Sequence, residues 1–182
     1  MKLSDGEKLI LFMLAEIYKH LEIDGEVDPQ LVQRALASGH YWGLKREYHG
    51  ILDTEPPSDE VVSETEEILQ MWTLLEESYD RLSPEDKKKV TEGSPFGDKV
   101  AFSGFDANNE RHYGVASFLI KDLGMFSRFA DRYLNSHWEM VEAYRRMLSV
   151  FKPALRTIGS SGLTTDQIIE ILNQKTHPSH RS

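Results

Sequence analysis

Cysteine is missing from all 182 residues of the chain. Disulfides, thiolate nucleophiles and Cys-ligated zinc or iron–sulfur centres are therefore excluded. Long apolar runs are missing as well. Lys2, Asp5, Glu7 and Lys8 put charge where a signal peptide needs an apolar stretch, and the apolar run at residues 9–15 is too short to span a bilayer. The expectation is a cytoplasmic protein with no membrane partner. Basic residues are scarce relative to acids, 21 against 30, for a formal net charge of −9. The acids are spread along the chain, so the average surface repels phosphate backbones and nucleic acid is not an expected partner. The compact basic run Lys87-Lys88-Lys89 follows Glu85-Asp86 at the end of a short predicted helix and reads as a solvated helix end.

Chemical signatures are also few. No stretch matches GxxxxGK[ST], or GxGxxG after a strand, so ATP and NAD binding have no motif behind them. Ser160-Ser161 lacks the strand–turn–helix elbow that exposes a serine nucleophile. A di-iron bundle needs Glu-x-x-His pairs, and none occurs. The pairs Glu47/His49 and Glu110/His112 are two residues apart, which on a helix separates the side chains by about 200°. No metal and no cofactor are expected. His137, beside Trp138, reads as a partly exposed first-turn residue, with a base as the sharper alternative. Arg145 and Arg146 suggest an anion, but Glu142 four residues before Arg146 makes an ordinary stabilising helix pair.

What is present is helical periodicity. Ser4 and Glu7 fit a capping box, and Leu9, Ile10, Met13, Leu14, Ile17, Tyr18 and Leu21 repeat at helical spacing, predicting a helix over residues 5–22. Asp28-Pro29 opens a short second helix with an apolar face at Leu31, Val32, Ala35 and Leu36, and Gly39 closes it. Residues 40–51, punctuated by Gly43 and Gly50, read as irregular or as one or two helical turns. Ser58 caps a long helix in which Thr65, Ile68, Trp72, Leu75, Tyr79 and Leu82 alternate steps of three and four. That is the seam of a helix pair whose partner is either internal or another copy of the chain. Ser83-Pro84 starts a further helix that Gly93 ends. Val100, Phe102 and Phe105 alternate too briefly to demand a sheet.

Two long helices are then expected over residues 107–123 and 136–151, the second opened by a Ser136/Glu139 capping box and stopped by Pro153. Gly159-Ser160-Ser161-Gly162 reads as a flexible joint before a last helix with a Thr164/Gln167 capping box and a Leu163/Ile168 staple. Residues 175–182 read as a disordered tail. With no repeat and no composition break, the expectation is one helical domain over residues 1–174. The expected fold class is all-α, a bundle-like or orthogonal array with at most a minor β-hairpin.

One resemblance stands out. It rests on Gly104-Phe105-Asp106, then Glu110, Tyr113, Phe118-Leu119, Phe126 and Phe129, and continues through Asn135, Met140, Tyr144 and Arg146-Met147-Leu148. With the opening Lys8-Leu9-Ile10-Leu11 and Tyr18, the chain resembles the YfbU family of bacterial proteins. The likeness is strongest over residues 102–151 and thin over 40–89. It implies a compact helical fold and carries over no catalytic residue.

The same residues have a purely structural reading. Val115, Phe118, Leu119 and Leu123, with Val141, Tyr144, Met147, Leu148 and Phe151, form core faces, and Asp106 caps a helix near Asn108 and Asn109. The functional reading gathers Asp106, Glu110, Tyr113 and Arg146 around a polar ligand site between two helices, because the first three fall along one helical edge. Two classes of function follow. One is a regulatory or protein-interaction module acting as a homodimer through an apolar helix face. The other is a hydrolase or small-ligand binder on the Asp106 edge. The lack of a catalytic signature favours the first.

Overall fold

The computed structural model describes residues 2–52, 55–156, 158 and 162–177. Two compact units divide the chain, Met1–Pro56 and Pro57–Ser182. The fold is all-α. Among the described residues there is no strand, and an isolated bridge joins Phe105 to Asn135. Nor is any helix among them long and apolar enough to cross a membrane.

In the N-terminal unit, local signals set each helix. The Ser4/Glu7 box closes in both directions at the start of α1 (Asp5–His20). The Asp28 side chain accepts the Gln30 N–H ahead of α2 (Pro29–Ser38), and Gly39 takes the left-handed conformation that ends it. Residues 40–51 resolve into α3 (Tyr41–Glu47) and α4 (His49–Leu52). α1 packs on α2, and α2 on α3. The buried apolar residues of this unit are Ala15, Ala35, Leu36 and Leu44. That is a thin core, and two of its four members are alanines. Leu9, Ile10, Met13, Leu14, Ile17 and Leu21 stay between 51% and 63% exposed.

The C-terminal unit is built on α5 (Asp59–Asp80), whose cap is Ser58. Thr65, Ile68, Trp72 and Leu75 of its seam are buried, and α7, α8 and α9 contact the helix, so the partner of that seam is internal. α6 (Pro84–Gly93) starts at the expected Ser83-Pro84. α9 (Thr165–Asn173) carries the Thr164/Gln167 box, with Leu163 and Ile168 both buried. At the centre, Trp72, Phe102, Phe105 and Tyr144 meet edge-on or tilted with ring centroids 5.4–6.2 Å apart.

Two helices depart from expectation. The one expected over 107–123 begins only with α7 (His112–Ser117) and continues as a π-helical turn, Phe118–Asp122. Asp106 turns its side chain onto the Asn108 N–H two residues on, so residues 107–111 form turns instead of a first helical turn. The helix expected over 136–151 is α8 (Val141–Leu155). The Ser136 hydroxyl donates to the Trp138 carbonyl at 2.6 Å and forms no capping box, and His137 sits at φ 60° outside the helix. Pro153 does not stop α8. A proline removes one backbone donor, and the buried face of Val141, Tyr144, Met147, Leu148 and Phe151 carries the helix through it.

Of the expected joint and tail, residues 159–161 and 178–182 lie outside the described residues. Lys175, at the head of that tail, is half-buried, its ammonium 4.9 Å from the Phe96 ring centroid and 5.9 Å from that of Trp72. Burial, with Lys99 nearby, lowers its pKa from the ordinary lysine value.

Candidate functional site

Residues 104–110 and 134–141 meet in a two-loop junction. The Phe105 N–H donates to the Leu134 carbonyl at 2.9 Å, and the Ser136 N–H donates to the Phe105 carbonyl at 3.0 Å. This approach leaves no space for a side chain at 104. Gly104 has φ 88°, and a Cβ there would lie 1.9 Å from the Leu134 carbonyl oxygen. Glycine is required on both counts. Phe105 beside it is fully buried and stacks on His112 at 5.6 Å.

Asp106 is buried, and both its oxygens are engaged. Oδ1 accepts from the Asn108 N–H and Oδ2 from the Asn109 side-chain amide, each at 2.8 Å. The Asn108 bond, then the Asn109 bond, holds this carboxyl below its ordinary range. Asn135 closes the junction from the other loop, its Oδ1 accepting the N–H groups of Ala107 (3.2 Å) and His137 (2.9 Å).

Glu110 ties the junction to α8. Its Oε2 accepts the Asp106 N–H at 2.7 Å, while Oε1 accepts those of Met140 (2.6 Å) and Val141 (2.7 Å). The first donors of a helix have no partner within it. Here a carboxylate thirty residues upstream supplies the cap, at the helix end where negative charge is favoured.

Tyr113 is half-buried against the apolar core. Arg146 does not pair with Glu142. Its Nε and Nη2 donate to the carbonyl oxygens of Gln174 (3.0 Å) and Lys175 (3.1 Å), satisfying orphan acceptors where α9 ends. Glu142 pairs instead with Arg145. Of the four expected site residues, the structure joins Asp106 to Glu110 and directs Arg146 to the end of α9.

Two charge clusters went unread in the sequence. Glu64 accepts both Nε and Nη2 of Arg145, at 2.6 and 2.8 Å, and lies 2.9 Å from Nε2 of the buried His112. The Arg145 bond is foremost in holding the Glu64 carboxyl below its ordinary value. Glu76, only 2% exposed, accepts the Phe102 N–H at 2.8 Å, two Arg132 nitrogens at 2.6 Å each and Arg128 Nε at 2.8 Å. Burial pushes the Glu76 carboxyl up. The bonds from Arg132, Phe102 and Arg128 outweigh it and leave the group below its ordinary value. A signal for Glu76 existed: it lies four residues after Trp72, on the apolar face of α5, where a lone charge demands a partner.

His137 lies against Tyr133, ring centroids 5.7 Å apart, with Nε2 3.4 Å from the phenolic oxygen. The structure does not bring Glu110 and His112 together, since one binds backbone N–H groups and the other Glu64. Among the described residues no three His, Asp or Glu side chains converge as a metal site would require.

These observations define an all-α chain in which the carboxylates of the two-loop junction are bonded to backbone and side-chain donors of the chain itself. The YfbU domain matches residues 1–174, and the chain belongs to the YfbU family. The residues that carry the resemblance have structural work here. Gly104 permits the loop approach, Asp106, Glu110 and Asn135 close the junction, and Tyr144 donates from the core to the Gly104 carbonyl at 3.0 Å.

Proposed function

We propose that this protein is an interaction module that acts as a homodimer, with the outer face of α1 as the surface joining two copies. The observation that carries the proposal is the exposure of Leu9, Ile10, Met13, Leu14, Ile17 and Leu21 together. Ile10, Leu14, Ile17 and Leu21 follow one another at steps of four, three and four, the spacing of a helix–helix seam. The six side chains offer on the order of 600 Å² of exposed surface per copy, against roughly 800 Å² per partner in a standard stable interface. Beside them a groove of 870 Å³, lined among others by Phe12, Ile17, His20 and Leu21, leaves room for a neighbour's side chains.

The charges on α1 favour a second, antiparallel copy. Its first turn holds Asp5 and Glu7 and its last turn Lys19 and His20. Antiparallel pairing about a two-fold axis sets the acidic turn of each copy against the basic turn of the other and opposes the helix dipoles. A ligand site on Asp106, Glu110, Tyr113 and Arg146 is the reading this displaces, because the carboxylates and guanidinium it would use are bonded to groups of the chain itself.

Sedimentation of the full chain from 1 to 100 µM tests the proposal. The expected result is a monomer–dimer equilibrium abolished by Leu14→Glu with Ile17→Glu, both exposed positions where a charge leaves folding intact. A parent chain that is monomeric throughout, or a double variant that dimerises like the parent, overturns it.

A further inference from the structure

A second surface of the N-terminal unit has a composition opposite to that of the chain. Trp42, Lys45, Arg46 and His49 line a groove of 540 Å³. In a protein of net charge −9, the described residues of this lining are two permanent cations, an imidazole and an indole. The positions are spaced by three, four and seven residues, which sets them along one side of α3 and onto the start of α4. Glu47, the acid of α3, follows Arg46 directly and so leaves the helix about 100° away.

Two details separate this groove from an ordinary solvated face. Trp42 is 68% exposed, although tryptophan is highly buried on average. The edge of His40 meets it at a centroid distance of 6.2 Å and an interplanar angle of 62°, bracing the indole from one direction. Arg46 has no carboxylate within ion-pair distance among the described residues, whereas Arg81, Arg128, Arg132 and Arg145 of the C-terminal unit are all paired.

We propose that the groove binds a nucleoside monophosphate, its base stacked on Trp42 and its phosphate held by Arg46 with His49 beside it. An exposed indole face is a sequence-tolerant platform for a base. A guanidinium presents two parallel donors to a phosphate. Four residues of helix separate the two groups by about 6 Å along the axis, a gap that a ribose and the long arginine stem span together. A free nucleotide fits this surface better than a polynucleotide. A small dianion meets only the local cations, while a polyanion must also approach the acids spread over the rest of the chain.

Calorimetric titration of the full chain with AMP tests the assignment, with adenosine, inorganic phosphate and a twelve-nucleotide single strand as comparison probes. The expected result is one saturable AMP site per chain. Trp42→Ala and Arg46→Glu should each weaken it by about tenfold or more, Trp42→Phe by much less, and adenosine and phosphate alone should each bind about tenfold more weakly than AMP. Both positions of substitution are exposed, and unchanged circular dichroism confirms folding. The proposal is overturned by no heat with AMP at millimolar concentration, by variants that bind like the parent, by phosphate binding as tightly as AMP, or by the oligonucleotide binding more tightly than AMP.

Discussion

Replacing Glu110 separates a cap from a catalyst, because the two roles demand different things of its carboxylate. In the structure three backbone N–H groups converge on it, two at the start of α8 and one at Asp106. Glu110→Ala strands all three in a partly buried place. A hydrogen bond to a charged group contributes about 1.5–3 kcal/mol, but the three share one side chain and do not add. Loss of a helix cap alone costs about 1 kcal/mol, so the expected total for alanine is about 3 kcal/mol. Glu110→Gln keeps Oε1 for Met140 and Val141 but turns an amide donor toward the Asp106 N–H. It should lose one bond and the charge, about 1.5 kcal/mol. Urea unfolding followed by tryptophan fluorescence reads both, with unchanged slope as the check that only stability has moved. If alanine and glutamine are equally destabilising, or both lie within 0.5 kcal/mol of the parent, the capping argument is wrong.

The other expectations are brief. Glu76→Gln should cost about 2–3 kcal/mol at neutral pH, because Arg128 and Arg132 lose their buried counter-charge. The Glu76 carboxyl sits below its reference value of 4.5, so its stabilisation is complete above that pH and is lost as pH falls through the lower folded value. Urea midpoints between pH 7 and pH 3 should therefore fall more steeply for the parent than for the Gln variant, and parallel curves would refute this. Gly104→Ala should destabilise by more than about 3 kcal/mol, since its Cβ meets the Leu134 carbonyl and its φ of 88° is costly for alanine. Wild-type midpoints for this variant in thermal and urea unfolding would show that the two loops separate without cost.

Where a signal and its partner lay within four residues, the sequence was legible. The boxes at Ser4/Glu7 and Thr164/Gln167, the Asp28-Pro29 start with Gly39, and the caps Ser58 and Ser83 all stand where they were expected. The misreadings share one physical cause. Asp106 accepts the expected Asn108 N–H but closes a turn and not the start of a helix, and Ser136 looked like a cap but has a nearer partner two residues on, Trp138. The true cap of α8 came from Glu110, at a sequence distance that no local pattern encodes. The partners of Arg146 were hidden for the same reason, since its acceptors at Gln174 and Lys175 are 28 and 29 residues away.

The same limit bears on the proposed interface. α1 and α5 carry apolar stripes of the same helical period, and period alone cannot say which stripe is covered. What decides it is the supply of large apolar side chains on the elements that pack against each helix. α5 meets Phe102, Val115, Leu119, Tyr144, Met147 and Ile168 in its core, and its seam closes. α1 meets α2, whose buried residues are Ala35 and Leu36, and six large side chains stay in water. A seam left open by its own unit needs a complementary one. An antiparallel second α1 provides it residue for residue, so a charge at Leu14 or Ile17 tests both halves of one interface at once.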